Sequence, residues 1–144
     1  IIDAATGEEL AVCEGSEGAN RLLLSDGVLI VQGDGLKAFD GETGKLLWQK
    51  KDAGGGMAAE GSKLVLSGVG CIDMHTGVTL WSEGVGKGEI MIASDVVLAV
   101  GRSILQACSL ETGESMWSSQ QGTSHTNLFI IGDTIWIGGL CFSM

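Results

Sequence analysis

The sequence predicts an all-β chain assembled from four-stranded antiparallel units. Three observations carry this expectation: a Thr-Gly pair that recurs four times at intervals of 33 to 37 residues, short apolar runs bounded by tight-turn residues, and no stretch that needs helical spacing. Gly supplies 24 of the 144 residues while Pro is absent, so many turns must be made without proline. With 44% hydrophobic residues the chain carries enough apolar material for a packed core.

The repeat sets the order of the elements. Its copies read IIDAATGEELAV, AFDGETGKLLWQ, CIDMHTGVTLWS and ACSLETGESMWS. The Thr-Gly pairs are Thr6-Gly7, Thr43-Gly44, Thr76-Gly77 and Thr112-Gly113, and three residues before each Thr stands Asp3, Asp40, Asp73 or Ser109. Four residues after each Gly stands Ala11, Trp48, Trp81 or Trp117. The apolar runs between copies are cut by Asp-Gly, Gly-Asp, Ser-Asp or Ser-Gly, which are strand and hairpin signals. One full unit therefore predicts strands over 22–25, 28–32, 36–40 and 45–50. Such a meander of about 35 residues is the unit of a β-propeller blade. The whole chain reads as a partial β-propeller over 1–144, with about three full blades and two half blades. The first half blade, 1 to about 15, is expected to supply the last two strands of a unit, and residues from about 128 the first two or three. Because Ile1 falls inside the pattern, the chain is expected to be an arc of a larger propeller with exposed blade edges; the alternative is that the halves pair and close a four-bladed ring.

The residue types explain the turn. Gly44 and its equivalents are expected at the left-handed position that closes a short hairpin loop. The Asp or Ser offers an oxygen to backbone N–H groups of the same loop, and the Thr hydroxyl does likewise. The Trp lies on the strand that leaves the loop, where its ring can bury about 150–250 Å² against a neighbouring blade. That area corresponds to an upper limit of about 4–6 kcal/mol per indole.

Composition excludes some classes of partner. The formal net charge of −10 disfavours a surface that tracks phosphates, so nucleic acid is not an expected ligand. No apolar run reaches the 18 or so residues of a membrane span. Cys13, Cys71, Cys108 and Cys141 lie too far apart in sequence for a zinc or redox pair; Cys71 and Cys108 sit in apolar runs and read as small buried hydrophobes, with disulfides left open.

Catalytic motifs fail on inspection. GVGKG at 84–88 lacks the first Gly and the Ser or Thr of a phosphate loop, and Glu89 holds the last Gly position of a dinucleotide fingerprint. GTSHT at 122–126 has Thr126 where a nucleophile elbow needs Gly, which leaves Ser124 beside His125 without an assigned acid. His75 lies inside a repeat turn and is expected to face solvent; Asp26 and Asp34 read as hairpin residues and not as calcium ligands. Trp136, within TIWIGG, is expected to be buried; exposed, it would offer a stacking surface for a sugar.

The segments AFDGETGKLLWQ, CIDMHTGVTLWS and ACSLETGESMWS resemble the tryptophan-docking repeat of the quinoprotein, or PQQ-like, β-propeller family, whose pattern reads Ala-x-Asp-x-x-Thr-Gly-x-x-x-Trp. Ala38, Asp40, Thr43, Gly44 and Trp48 match it; Cys71 replaces Ala in the third copy, Ser109 replaces Asp in the fourth, and Ala11 replaces Trp in the first, which should dock more weakly. WD repeats follow Trp with Asp, whereas here Gln49, Ser82 and Ser118 follow. The resemblance implies a periplasmic or extracytoplasmic protein of one of two kinds. One is a non-catalytic scaffold, without cofactor, that binds a protein or peptide. The other is a fragment of a PQQ-dependent alcohol or sugar dehydrogenase, with quinone and calcium held by blades outside this chain. The adjacent cysteines of the dehydrogenases have no counterpart here, so the scaffold reading is preferred and no catalytic, cofactor or metal residue is assigned.

Overall fold

The computed structural model describes residues 1–51, 55–82, 85–101, 104–120, 128–132 and 134–137, together with the backbone of 140–143. Among these residues there are strands and turns and no helix. The first sheet runs in order β1 (Arg21–Ser25), β2 (Val28–Gln32), β3 (Leu36–Asp40) and β4 (Leu46–Lys50). The second comprises β5 (Met57–Glu60), β6 (Lys63–Leu66), β7 (Gly70–Asp73) and β8 (Thr79–Trp81), and the third β9 (Glu89–Ala93), β10 (Val96–Val100), β11 (Leu105–Ser109) and β12 (Ser115–Ser119). A last sheet has three strands, β13 (Leu128–Ile131), β14 (Thr134–Ile137) and β15 (Leu140–Ser143). Every sheet is a simple meander, and the strands whose register is defined pair antiparallel. This is the all-β, blade-by-blade architecture of a partial propeller.

Local chemistry accounts for the hairpins. Asp26 and Gly27 have φ of 48° and 74°, and Ser94 and Asp95 have 48° and 64°, the left-handed pair that matches a two-residue turn to the twist of its strands. The third and fourth strands slip register by one residue, between Ala38 and Phe39 and again between Ala107 and Cys108. The slip leaves Trp48 opposite Ala38 and Trp117 opposite Ala107, so each large ring faces a methyl group across the ladder.

The first half blade differs from its expectation. Its two segments make one isolated bridge, Ile2 to Glu9, and no named strand. A two-stranded ribbon has no third strand to extend its ladder; its arms are joined by the Asp3 N–H donating to the Glu8 carbonyl at 2.8 Å and the Leu10 N–H to the Ile1 carbonyl at 2.9 Å.

By its internal contacts the chain divides into two compact units, Ile1–Ala53 with Ala59–Leu64 and Ile72–Val78, and Gly54–Ala58 with Val65–Cys71 and Thr79–Met144. In the first, Ile30, Leu36, Phe39, Leu64, Ile72 and Met74 are fully buried. In the second, Leu98, Leu105 and Ala107 pack with Leu128, Ile135 and Ile137, joined by the half-buried Trp117. A separate cluster gathers Val65, Cys71, Val97, Cys108 and Leu110 under Trp81. The alternation of apolar positions along each strand thus buries one set of side chains per face.

Candidate functional site: the repeated turn and its indole

Four turns share one hydrogen-bond scheme. The N–H of the Gly donates to the carbonyl of the Asp or Ser four residues earlier, at 2.8 Å for Gly7 to Asp3, 2.9 Å for Gly44 to Asp40, and 2.8 Å for both Gly77 to Asp73 and Gly113 to Ser109. The side-chain oxygen of the same residue accepts the N–H of the Thr: 2.7 Å at Asp3, 2.8 Å at Asp40 and Asp73, and 3.3 Å at Ser109. In the three Asp copies the Thr hydroxyl donates to that carboxylate as well, at 3.0, 2.6 and 2.8 Å. Each Thr Oγ1 then accepts the N–H two residues on, at Glu8, Lys45, Val78 and Glu114. Bonding to the charged form holds the Asp40 and Asp73 carboxyls below their ordinary value of 3.8, with the Thr hydroxyl as the largest cause; at Asp3 the backbone N–H of Thr6 leads.

The second, third and fourth turns are also met by the repeat before them. The Trp48 indole donates from Nε1 to the Met74 carbonyl at 2.7 Å, and Trp81 donates to the Leu110 carbonyl at 3.0 Å. The acceptor in both cases is the residue just after the Asp or Ser, a partner that residue types alone do not reveal. Gly77 lies directly under the ring: a Cβ built there would come within 2.8 Å of Trp48 Cδ2. Its φ of +71° already favours glycine, so two independent constraints fall on one residue. At Gly44 the neighbour is the first repeat, with the Val12 carbonyl 2.9 Å and the Ala11 methyl 3.2 Å from the same virtual atom. Ala11 thus occupies the place that Trp48 holds over Gly77, without an indole to reach a carbonyl.

The remaining polar and aromatic candidates resolve individually. His75 is exposed, and its Nε2 lies 3.0 Å from Asp26 Oδ2 in an exposed pair. Ser124, His125 and the Cys141 side chain lie outside the described residues. Cys71 and Cys108 are buried free thiols, Cys13 is a half-buried one, and burial pushes the Cys108 thiol up. Among the described residues no three of His, Cys, Asp or Glu gather where they could hold a metal ion.

Trp136 corrects a sequence expectation. It is 42% exposed, not buried, because it pairs with Phe129 on the face of the last sheet opposite Ile135 and Ile137. Phe129 and Ile131 on that face are 60% and 68% exposed.

No family model matches the chain, and no curated protein matches it. Among solved structures it is similar to the computationally designed Ika4 protein, at 18% identity and a TM-score of 0.81 over 96% of this chain and 99% of that one. It is similar to BamB from Moraxella catarrhalis at 18% identity and a TM-score of 0.66, over 81% of this chain and 42% of BamB. Quinohemoprotein alcohol dehydrogenase from Comamonas testosteroni matches at 19% identity and a TM-score of 0.58, over 73% of this chain and 22% of the enzyme. The chain thus spans less than half of BamB and about a fifth of the dehydrogenase. At this identity the likeness speaks to architecture, and it agrees with the strand order: the chain has the fold of β-propeller blades.

Proposed function

We propose that this chain is a non-catalytic segment of a PQQ-like propeller, built from tryptophan-docking repeats, that binds a protein or peptide and acts outside the cytoplasm. The observation that carries the reading is the apolar face of β13 and β14, where Phe129, Ile131 and Trp136 stand exposed side by side. Contiguous exposed apolar side chains favour protein association. The net charge of −10 selects the partner's character: apolar anchors flanked by basic residues.

Selection from a displayed random-peptide library tests this. Basic peptides with aromatic or aliphatic anchors should be enriched, and Phe129→Glu or Trp136→Glu should weaken them at least about ten-fold, the loss that follows when an interface anchor is removed. Failure to enrich any peptide, or binders indifferent to both substitutions, would overturn the binding role. The competing reading is a fragment of a PQQ-dependent dehydrogenase. The full-length protein, supplied with quinone and calcium, would then reduce a dye with alcohols or aldose sugars, and such activity would displace the scaffold reading.

A further inference from the structure

Strand alternation fixes which side chains of a sheet meet the sheet that follows. In the third sheet Met91 pairs with Leu98 across the hairpin, and both pack with Leu128, Ile135 and Ile137 of the last sheet. Counted from the two-residue hairpin turns, Phe129 holds the position of Met91 and Trp136 that of Leu98, and the two pair in the same register. Leu98 is fully buried, whereas Phe129 and Trp136 are 60% and 42% exposed. The last sheet thus presents, uncovered, the face with which the third sheet seats its successor.

The first sheet leaves the complementary face open. Leu22 and Leu24 hold the positions of Ile90 and Ile92 in the third sheet and of Leu128 and Ile130 in the last. Ile90 and Ile92 pack against the cluster that contains Val65 and Cys71 of the second sheet, and Leu128 and Ile130 join Leu98 and Leu105 of the third. In both later sheets, then, these positions rest on the sheet before. In the first sheet Leu22 and Leu24 are 64% and 67% exposed. Ala11 and Val12 approach this sheet at Gly44 and leave both leucines uncovered.

We propose that the exposed face of the last sheet docks a second copy of this chain, which it meets through Leu22 and Leu24 of that copy's first sheet. The proposal rests on the reading of the Phe129 and Trp136 face as a protein-binding surface, and it names the partner. A sheet with apolar side chains at these two positions reproduces the joint between the third and last sheets, and the first sheet carries such a face free. Arg21 adjoins Leu22 in the chain, and Lys37 stands in one cross-strand row with Leu22 and Val31. Basic groups therefore flank the anchors, as the acidity of the chain favours.

The joint is heterologous, because different faces of the two copies meet, and each copy keeps one further face of each kind with which to extend the assembly or close it. Docking sets β15, at the edge of its three-stranded sheet, beside residues 8–12 of the second copy in place of that copy's Ile1–Asp3 arm. The bonds from Asp3 to Glu8 and from Leu10 to Ile1 are exchanged for a ladder with β15, and the last sheet gains the fourth strand that the other sheets have.

Sedimentation velocity of the full chain across the micromolar range tests this. Concentration-dependent self-association is expected, and Leu22→Glu and Trp136→Glu should each weaken it at least about ten-fold, since each removes an interface anchor. Val78→Glu adds the same charge at a similarly exposed turn position and should associate as the wild type does. Mixing the two weakened variants should give a one-to-one heterodimer and nothing larger, because one intact face of each kind remains between them. Circular dichroism melts establish that every variant is folded. A chain that stays monomeric, an equal loss in Val78→Glu, or no heterodimer on mixing would overturn the proposal. Peptides enriched on a monomeric chain would overturn the self-docking alone and leave the protein-binding reading standing.

Discussion

Gly77→Ala offers the sharpest test of how one repeat rests on the next. The new methyl must adopt φ near +71°, which costs an L-residue about 1–2 kcal/mol. It must also displace the Trp48 ring, since its Cβ would lie 2.8 Å from Cδ2. Moving the indole lengthens the 2.7 Å bond from Nε1 to the Met74 carbonyl, a bond worth about 0.5–1.5 kcal/mol net. The two effects predict a destabilisation of about 2–3 kcal/mol. In a Trp48→Ala background the clash and the indole bond are absent, so Gly77→Ala should cost only the backbone share, about 1–2 kcal/mol. Urea unfolding of the wild type, both single variants and the double variant, followed by far-ultraviolet circular dichroism, closes the cycle. A coupling of about 1 kcal/mol is expected from the lost bond. Coupling below about 0.3 kcal/mol, the level at which independent sites add, would refute the claim that the ring bears on this glycine.

Acid should loosen the Asp turns and spare the Ser turn. The folded-state pKa values of Asp3, Asp40 and Asp73 lie below the ordinary 3.8, so their contribution is present above that value and is lost as pH falls through the lowered one. Melting temperatures between pH 6 and pH 2.5 should therefore fall less steeply for Asp40→Ser, which copies the Ser109 turn, than for the wild type. In a Cys141→Ser background, native Cys13 should react with a thiol reagent far faster than Cys71 and Cys108, and all three should react alike in strong denaturant, because the last two are buried. On the last sheet, Ile131→Thr should change stability by less than about 0.5 kcal/mol, whereas Ile135→Thr, which buries a hydroxyl, should cost about 1–3 kcal/mol. Equal losses in equilibrium unfolding would contradict the assignment of the two faces.

Most of the fold is legible in the sequence because turn residues and apolar alternation coincide. The predicted strands 28–32 and 36–40 match β2 and β3, and β1 and β4 differ from expectation by one residue at their starts. The Asp-x-x-Thr-Gly segment is legible as a turn because short oxygen-bearing side chains precede a glycine. Its seam with the next repeat is not, since the acceptors of the indole N–H groups are the backbone carbonyls of Met74 and Leu110, and a carbonyl has no residue signature. Alternation places Trp136 and Ile135 on opposite faces, but only coordinates reveal which face is covered.

Both indole bonds reach forward, from a Trp to the repeat that follows it, across 26 and 29 residues. A gene segment encoding one such period could therefore be copied in tandem without redesign, because every added copy brings the ring its successor needs and the glycine its predecessor requires. Length in this architecture is cheap to evolve, and drift within a single copy, such as Ala11 for Trp, injures one joint and leaves the others whole.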